Sequence, residues 1–295
     1  MSASPFVRDL LRQGTPAFSF EFFPPKTDEG ETLLWRAIRE LEPLRPTYVS
    51  VTCRASGSTH ERTLRTVERI ARETSITPVA HLTCSGVSRD QLRSTIRRLG
   101  DAGIRNVLAL RGDPTGGLDA KWIAHDDGLH HAAELVRLLR EEGDFSIGVA
   151  AFPETHPESP NRDTDVRFFV EKVRAGADFA VTQFFFRPAD YFTLVARTRA
   201  AGCDVPIIPG VMPVTNLSSI ERMAALSGAD FPADLADRLR SVGDDPDKVR
   251  AVGVEVASQL CRDLLDGGAP GIHFYTLNRS TATREIYEQL GLRTG

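Results

Sequence analysis

Cysteine is scarce in this chain: Cys53, Cys84, Cys203 and Cys261 are the only four, and they stand far apart. None forms a Cys-x-x-Cys pair, so the spacing excludes a zinc knuckle or a dithiol redox centre, and reduced thiols are expected. No apolar run approaches the ~20 residues needed to span a bilayer, and the N-terminal MSASPFVRDLLRQG has no apolar h-region of a secretion signal. A surplus of one charge sign is missing too: 36 Lys plus Arg stand against 40 Asp plus Glu, a formal net charge of −4. That balance leaves no electrostatic footprint for nucleic acid or an anionic membrane. No Gly-x-Gly-x-x-Gly follows a strand pattern, no serine sits in a nucleophile elbow, and no His/Asp/Glu spacing argues for a metal. With 41% hydrophobic and 26% charged residues, the composition is that of an ordinary globular protein, expected in the cytoplasm.

What is present is alternation. Short apolar runs of strand character recur at 18–23, 47–52, 77–83, 106–112, 145–152, 179–186, 206–212 and 271–277, with helical patterning between them. Within 89–103, Leu92, Ile96 and Leu99 share one helical face while the arginines mostly take the other. Gly103, Gly143, Gly176, Gly202 and Gly268 close helices just before the next run. Eight such units, with no linker dividing the chain, predict an α/β fold: a single (β/α)8 TIM barrel over residues 1–295. The interval 213–270 is the longest and is expected to hold extra helices between strands seven and eight. The first fourteen residues read as a first helix.

In this fold the chemistry sits at the C-terminal ends of the strands. Those ends carry Glu21, Thr52, His81, Arg111-Gly112-Asp113, Phe152 through His156, Gln183 and Asn278-Arg279, more polar groups than a filled barrel needs. Glu21 interrupts the apolar run FSFEFF. A carboxyl among aromatics loses solvation, so its pKa is expected to rise and to suit a general acid. A buried ion pair with Lys26 or an arginine is the competing reading. Arg111, Gly112 and Asp113 supply a cation, a tight backbone and a carboxylate at one rim position. Gln183 can donate and accept at once, which suits a heterocyclic amide such as a pterin or flavin ring. His81 and His156 are each open to a core or capping role. The residues alone reach a barrel enzyme with a polar heterocyclic ligand and do not name its reaction.

At these same residues the sequence resembles the methylenetetrahydrofolate reductase family. The blocks that carry the resemblance run nearly end to end: SFEFFPPK (19–26), YVSVT (48–52), AHLTC (80–84), LALRGD (108–113), VAAFPETHPES (149–159), TQFFF (182–186), IIPGVMPV (207–214) and HFYTLNR (273–279). The resemblance implies reduction of 5,10-methylenetetrahydrofolate to 5-methyltetrahydrofolate through bound FAD, with NADH or NADPH as electron source, in one-carbon metabolism and methionine biosynthesis. It implies Glu21 as the acid on the folate's bridge nitrogen and Asp113 beside flavin and pterin. Gln183, Ser219 and Arg279 would hold the folate, and Thr52 would lie near the nicotinamide. Cys53, Ala55, His81, Arg111, Gly112, Asp113, His131, Ala132, Phe152, His156, Asp165 and Lys172 would line the FAD. Nicotinamide and folate would take turns on one flavin face. The implied partners are small molecules, with no nucleic acid or membrane, and a homo-oligomer is compatible with the family.

The chain also departs from the family pattern. Cys53-Arg54-Ala55-Ser56-Gly57 stands for the usual Tyr-Gly-Ala-Gly-Gly, and His131 and Phe152 each replace a Tyr. Met223, expected in the loop after strand seven, occupies a position that can be Phe. Arg54 brings bulk and charge to a loop where backbone ordinarily approaches the flavin. These departures support a second reading: a paralogue with weakened or lost flavin binding that acts on or binds a folate-like ligand. A third, a non-catalytic barrel kept for partner binding, is opposed by the intact Glu21, Asp113 and Gln183.

Overall fold

A computed structural model describes residues 4–53, 57–114, 120–243 and 245–292. Eight parallel strands close into a barrel in chain order: β1 (Ala17–Phe22), β2 (Tyr48–Val51), β3 (Pro78–Thr83), β4 (Asn106–Leu110), β5 (Ser146–Ala151), β6 (Phe179–Phe184), β7 (Ile207–Val211) and β8 (Gly271–Tyr275). The ring is shut by β8 pairing with β1, from Ala17 opposite Gly271 to Glu21 opposite Tyr275. The helices in chain order are α1 (Val7–Leu10), α2 (Asp28–Leu41), α3 (Gly57–Glu73), α4 (Arg89–Asp101), α5 (Ala132–Glu142), α6 (Arg162–Arg174) and α7 (Pro188–Ala200). After β7 come α8 (Leu217–Ser227), α9 (Ala233–Ser241) and α10 (Pro246–Asp266), then α11 (Thr281–Gln289) follows β8. The long interval before β8 thus holds extra helices, as its length predicts. No helix among the described residues is long and apolar enough to cross a membrane.

Local chemistry accounts for the elements. In α4 the buried Leu92, Ile96 and Leu99 form the inward stripe, each worth about 2 kcal/mol of burial. Its start is set by a reciprocal cap: Ser88 Oγ accepts from Gln91 N–H at 3.2 Å, and Gln91 Oε1 accepts from Ser88 N–H at 2.8 Å. Four of the five anticipated glycine stops take left-handed backbone; Gly143, at φ 165°, is extended instead. The first fourteen residues do not form one helix: α1 is a single turn that passes into a 3₁₀ turn over Leu11–Gln13. Gly14 follows with left-handed backbone, and Ala17 then opens β1, which leaves no room for a longer helix.

That short helix closes one end of the barrel. Val7, fully buried, donates its N–H to Asn106 Oδ1 at 2.8 Å, and Arg8 N–H reaches Ser146 Oγ at 2.9 Å. Asn106 and Ser146 are the first residues of β4 and β5, so α1 lies across the N-terminal strand ends. Val7 belongs to an interior apolar cluster with Tyr48, Val79, Leu108, Phe179, Val181 and Ile208. A larger core lies between the sheet and the surrounding helices, and a third, with Met212, Ile220, Leu235 and Val249, packs α8–α10 near β7. With one end plugged, the open end is the C-terminal rim.

Candidate active site

Strand periodicity puts alternate residues on one side, and on β1 those are Ser19 and Glu21. Glu21 is only 6% exposed. His273 Nε2 lies 3.3 Å from Glu21 Oε2, and His81 Nε2 lies 3.5 Å from the same oxygen. The other nitrogen of His273, Nδ1, is 2.7 Å from Ser19 Oγ. Tyr48 stacks on the His273 ring at 5.9 Å, and Tyr275 meets that ring edge-on at 5.3 Å. Tyr275 in turn donates its hydroxyl to the Thr182 carbonyl at 2.7 Å. Gly210 makes that pose possible, since a Cβ there would sit 2.6 Å from the Tyr275 ring and 2.4 Å from the Thr182 oxygen.

This geometry corrects the expectation that burial alone would set the carboxyl's pKa. Burial does push Glu21 up, but attraction to His81 where that ring is protonated, together with the hydrogen bond from His273, outweighs it and holds the carboxyl below its ordinary value. His81 is itself pushed down to about 4 by burial, with Glu21 opposing. At neutral pH His81 is therefore uncharged, and the His273 hydrogen bond still favours the carboxylate. The ion pair with Lys26 or an arginine is not what forms: the partners are two histidines, and Lys26 is exposed.

A second set of the anticipated residues gathers just beyond the C-terminal ends of β4 and β5 and on α6. Arg111 closes on Glu158 and lies over the Trp122 ring. His156 accepts from Glu158 N–H through Nδ1 at 3.0 Å and meets the Phe152 ring edge-on at 4.6 Å. Asp165 accepts from Ser159 Oγ at 3.0 Å and from His156 N–H at 3.3 Å. Lys172 donates Nζ to the Ala150 carbonyl, and burial pushes its ammonium down to about 8, with Asp165 opposing. Gly112, at φ 85°, packs so tightly that a Cβ would meet Thr83 Cβ at 2.8 Å, and its carbonyl accepts from Trp122 Nε1 at 3.1 Å. Asp113 is exposed, with its backbone carbonyl held by Ser85 Oγ at 2.7 Å.

The remaining expected residues are placed one by one. Thr52 Oγ1 is buried without a hydrogen-bond partner. Cys53 is buried, and burial raises its thiol to about 12, so it is no nucleophile at neutral pH. Ala55, with Arg54 and Ser56, lies outside the described residues. His131 is the N-cap of α5 and Ala132 its first residue, and there the His130 and His131 N–H groups donate to Glu134 Oε2 at 2.7 and 2.8 Å. Gln183 sits where the β6–β7 pairing is irregular, and its Oε1 accepts from Phe184 N–H at 3.0 Å. Ser219 is half-buried in the first turn of α8, capped by Asn216 Oδ1 at 2.8 Å, and Arg279 is exposed. Met223 lies on α8, not in a loop, and packs against the cluster near β7.

A profile of the methylenetetrahydrofolate reductase family matches residues 6–291. The chain belongs to this family. It is similar to the 5,10-methylenetetrahydrofolate reductase of Pectobacterium carotovorum subsp. carotovorum, with 38% identity over 283 residues, 95% of this chain and 92% of that protein. The Escherichia coli (strain K12) protein of the same name is also 38% identical, over 96% of this chain and 93% of its own length. Arabidopsis thaliana methylenetetrahydrofolate reductase (NADH) 1 is 35% identical over 97% of this chain and 50% of its own length. Among solved structures, a Clostridium thermocellum protein described as binding two copies of 5-methyl-5,6,7,8-tetrahydrofolic acid superposes with a TM-score of 0.66 at 14% identity, over 97% of this chain and 98% of that one.

Around Glu21, His81 is an anticipated residue, and the other neighbours are not. His273, Ser19, Tyr48 and Tyr275 surround or fix Glu21's environment, yet none was singled out. The signal was there: 19/21 and 273/275 are both period-two pairs in neighbouring strands, but only barrel closure makes β1 and β8 neighbours.

Proposed function

We propose that the protein reduces the methylene bridge of 5,10-methylenetetrahydrofolate to a methyl group, with FAD bound and NADH or NADPH as electron donor. The observation that carries this reading is Glu21, a single buried carboxylate set between two histidines in a chain of this family. The residues present fit a flavin. Lys172 offers an ammonium held by a carbonyl and a nearby carboxylate, suited to a phosphate, and Thr52 Oγ1 is an orphaned buried hydroxyl. When bound, the flavin supplies the hydride.

The rest of the chemistry falls to the chain. Glu21 Oε2 delivers a proton to the bridge nitrogen of the folate, opening the ring to an iminium ion. In the free protein that carboxyl is ionised at neutral pH, so it takes up its proton only with the folate in place. Ser19 holds one nitrogen of His273 so that the other faces Oε2. Gln183 orients the pterin through its amide, and Arg279 pairs with a glutamyl carboxylate. Asp113 favours the cationic iminium electrostatically.

One observation favours the second reading, a relative with weakened flavin binding: the Arg111 guanidinium is already engaged by Glu158. A spectrum decides between them. The purified protein should show oxidised-flavin absorbance, bleach with NADH or NADPH, and recover its colour on addition of methylenetetrahydrofolate. Protein that neither carries nor takes up FAD overturns the first reading.

A further inference from the structure

The β1–β8 register ends at Glu21 opposite Tyr275, and side chains then reinforce the one remaining backbone bond, from Thr276 N–H to the Glu21 carbonyl at 3.4 Å. Thr276 Oγ1 donates to the Glu21 carbonyl at 2.6 Å and accepts from Asn278 N–H at 3.2 Å. Asn278 Oδ1 accepts from Phe23 N–H at 2.8 Å, and its Nδ2 donates to the Phe23 carbonyl at 2.9 Å. One carboxamide thus satisfies both main-chain groups of Phe23, as a paired strand would, one residue beyond the end of β1. The backbone is gripped at Glu21 itself and again two residues on.

The grip is held in a conformation that needs holding. Arg279 N–H donates to the Thr276 carbonyl at 2.9 Å, and the two residues between, Leu277 and Asn278, both have left-handed backbone, φ 51° and 59°. Such a turn is ordinarily built from Asn-Gly or Gly-Gly, because a Cβ crowds the neighbouring carbonyl there. Leu277 is kept in place by packing against the cluster near β7.

We propose that Thr276 and Asn278 are positioning residues for Glu21, fixing its carboxylate against His81, His273 and the folate; this rests on the reading of Glu21 as the acid. Asn278→Gly removes the carboxamide and puts in its place a residue that adopts left-handed backbone freely, so the turn is spared. Thr276→Val removes the hydroxyl and Thr276→Ser keeps it. Folate reduction in N278G and T276V should fall about tenfold or more in kcat with little change in KM, while T276S stays within about twofold of wild type. In a Glu21→Gln background N278G should add no further loss. A full-rate N278G, or an equal further loss in the E21Q background, overturns the proposal.

A readout independent of turnover is the ¹³C carboxyl resonance of Glu21, identified by its absence in E21Q. Its titration midpoint should move up in N278G and T276V as the carboxylate drifts from the histidines. An unmoved midpoint overturns the positioning role. Should the wild type reduce no folate, the proposed function fails, and this resonance still decides the clamp.

Discussion

Arg111 and Glu158 meet fork to fork, Nη1 to Oε2 at 2.5 Å and Nη2 to Oε1 at 2.7 Å. The guanidinium hydrogen bonds hold the Glu158 carboxyl below the usual carboxylate range, so the pair persists throughout the neutral range. A bound pyrophosphate would have to compete with Glu158 for those donors. Glu158→Gln should therefore tighten FAD binding about three- to tenfold, read by fluorescence quenching during titration into stripped protein. Unchanged or weaker binding means that Arg111 does not face the cofactor.

Glu21→Gln separates the two half-reactions. Folate reduction should fall by about 10²–10⁴, the usual weight of a general acid, because the amide delivers no proton. Oxidation of the nicotinamide needs no such proton and should proceed near the wild-type rate in stopped-flow mixing. Loss of both would make Glu21 a structural residue.

His81 predicts a pH-dependent stability. Its folded-state pKa, pushed down to about 4, lies below the ordinary 6.5, so between these values the folded chain binds fewer protons than the unfolded chain. The contribution is fully present above about pH 6.5 and is lost as pH falls toward 4, by up to about 3 kcal/mol. Urea denaturation from pH 7 to 4.5 should show a shallower loss in His81→Asn than in the wild type.

Lys172 works in the alkaline range. With its ammonium pushed down to about 8 from an ordinary 10.5, the folded state is penalised while the group is charged, and stability should rise between pH 8 and 10.5. Lys172→Met should abolish that rise, stabilise the flavin-free protein by about 1–2 kcal/mol at pH 7, and weaken FAD binding. Paired denaturation curves at pH 7 and 9.5 test the sign; a destabilised variant would show that the Ala150 hydrogen bond outweighs the buried charge.

The fold was legible because each strand and helix declares itself locally. Leu92, Ile96 and Leu99 repeat at helical spacing, and Glu21 stands out because one polar residue in FSFEFF breaks the apolar run. Its environment was less legible. Glu21 and His273 are separated by 252 positions, and nothing within either segment announces the other. Burial, which the sequence does suggest, acts alone in the raising direction; the histidines that reverse it arrive only through closure of the sheet. The turn over Leu277 and Asn278 was hidden for a related reason. Without a glycine, its left-handed backbone depends on contacts made elsewhere in the molecule.

The pairing of β1 with β8 bears on how the protein is made. On the ribosome, Glu21 emerges early and waits for every intervening strand and helix before His273, Thr276 and Asn278 can reach it. A nascent chain arrested before β8 could hold several folded βα units, with His81 in reach of Glu21, and still lack His273 beside that carboxyl and leave its barrel open along two strand edges. The full surroundings of Glu21 and the seal against edge-to-edge aggregation are completed in one late event.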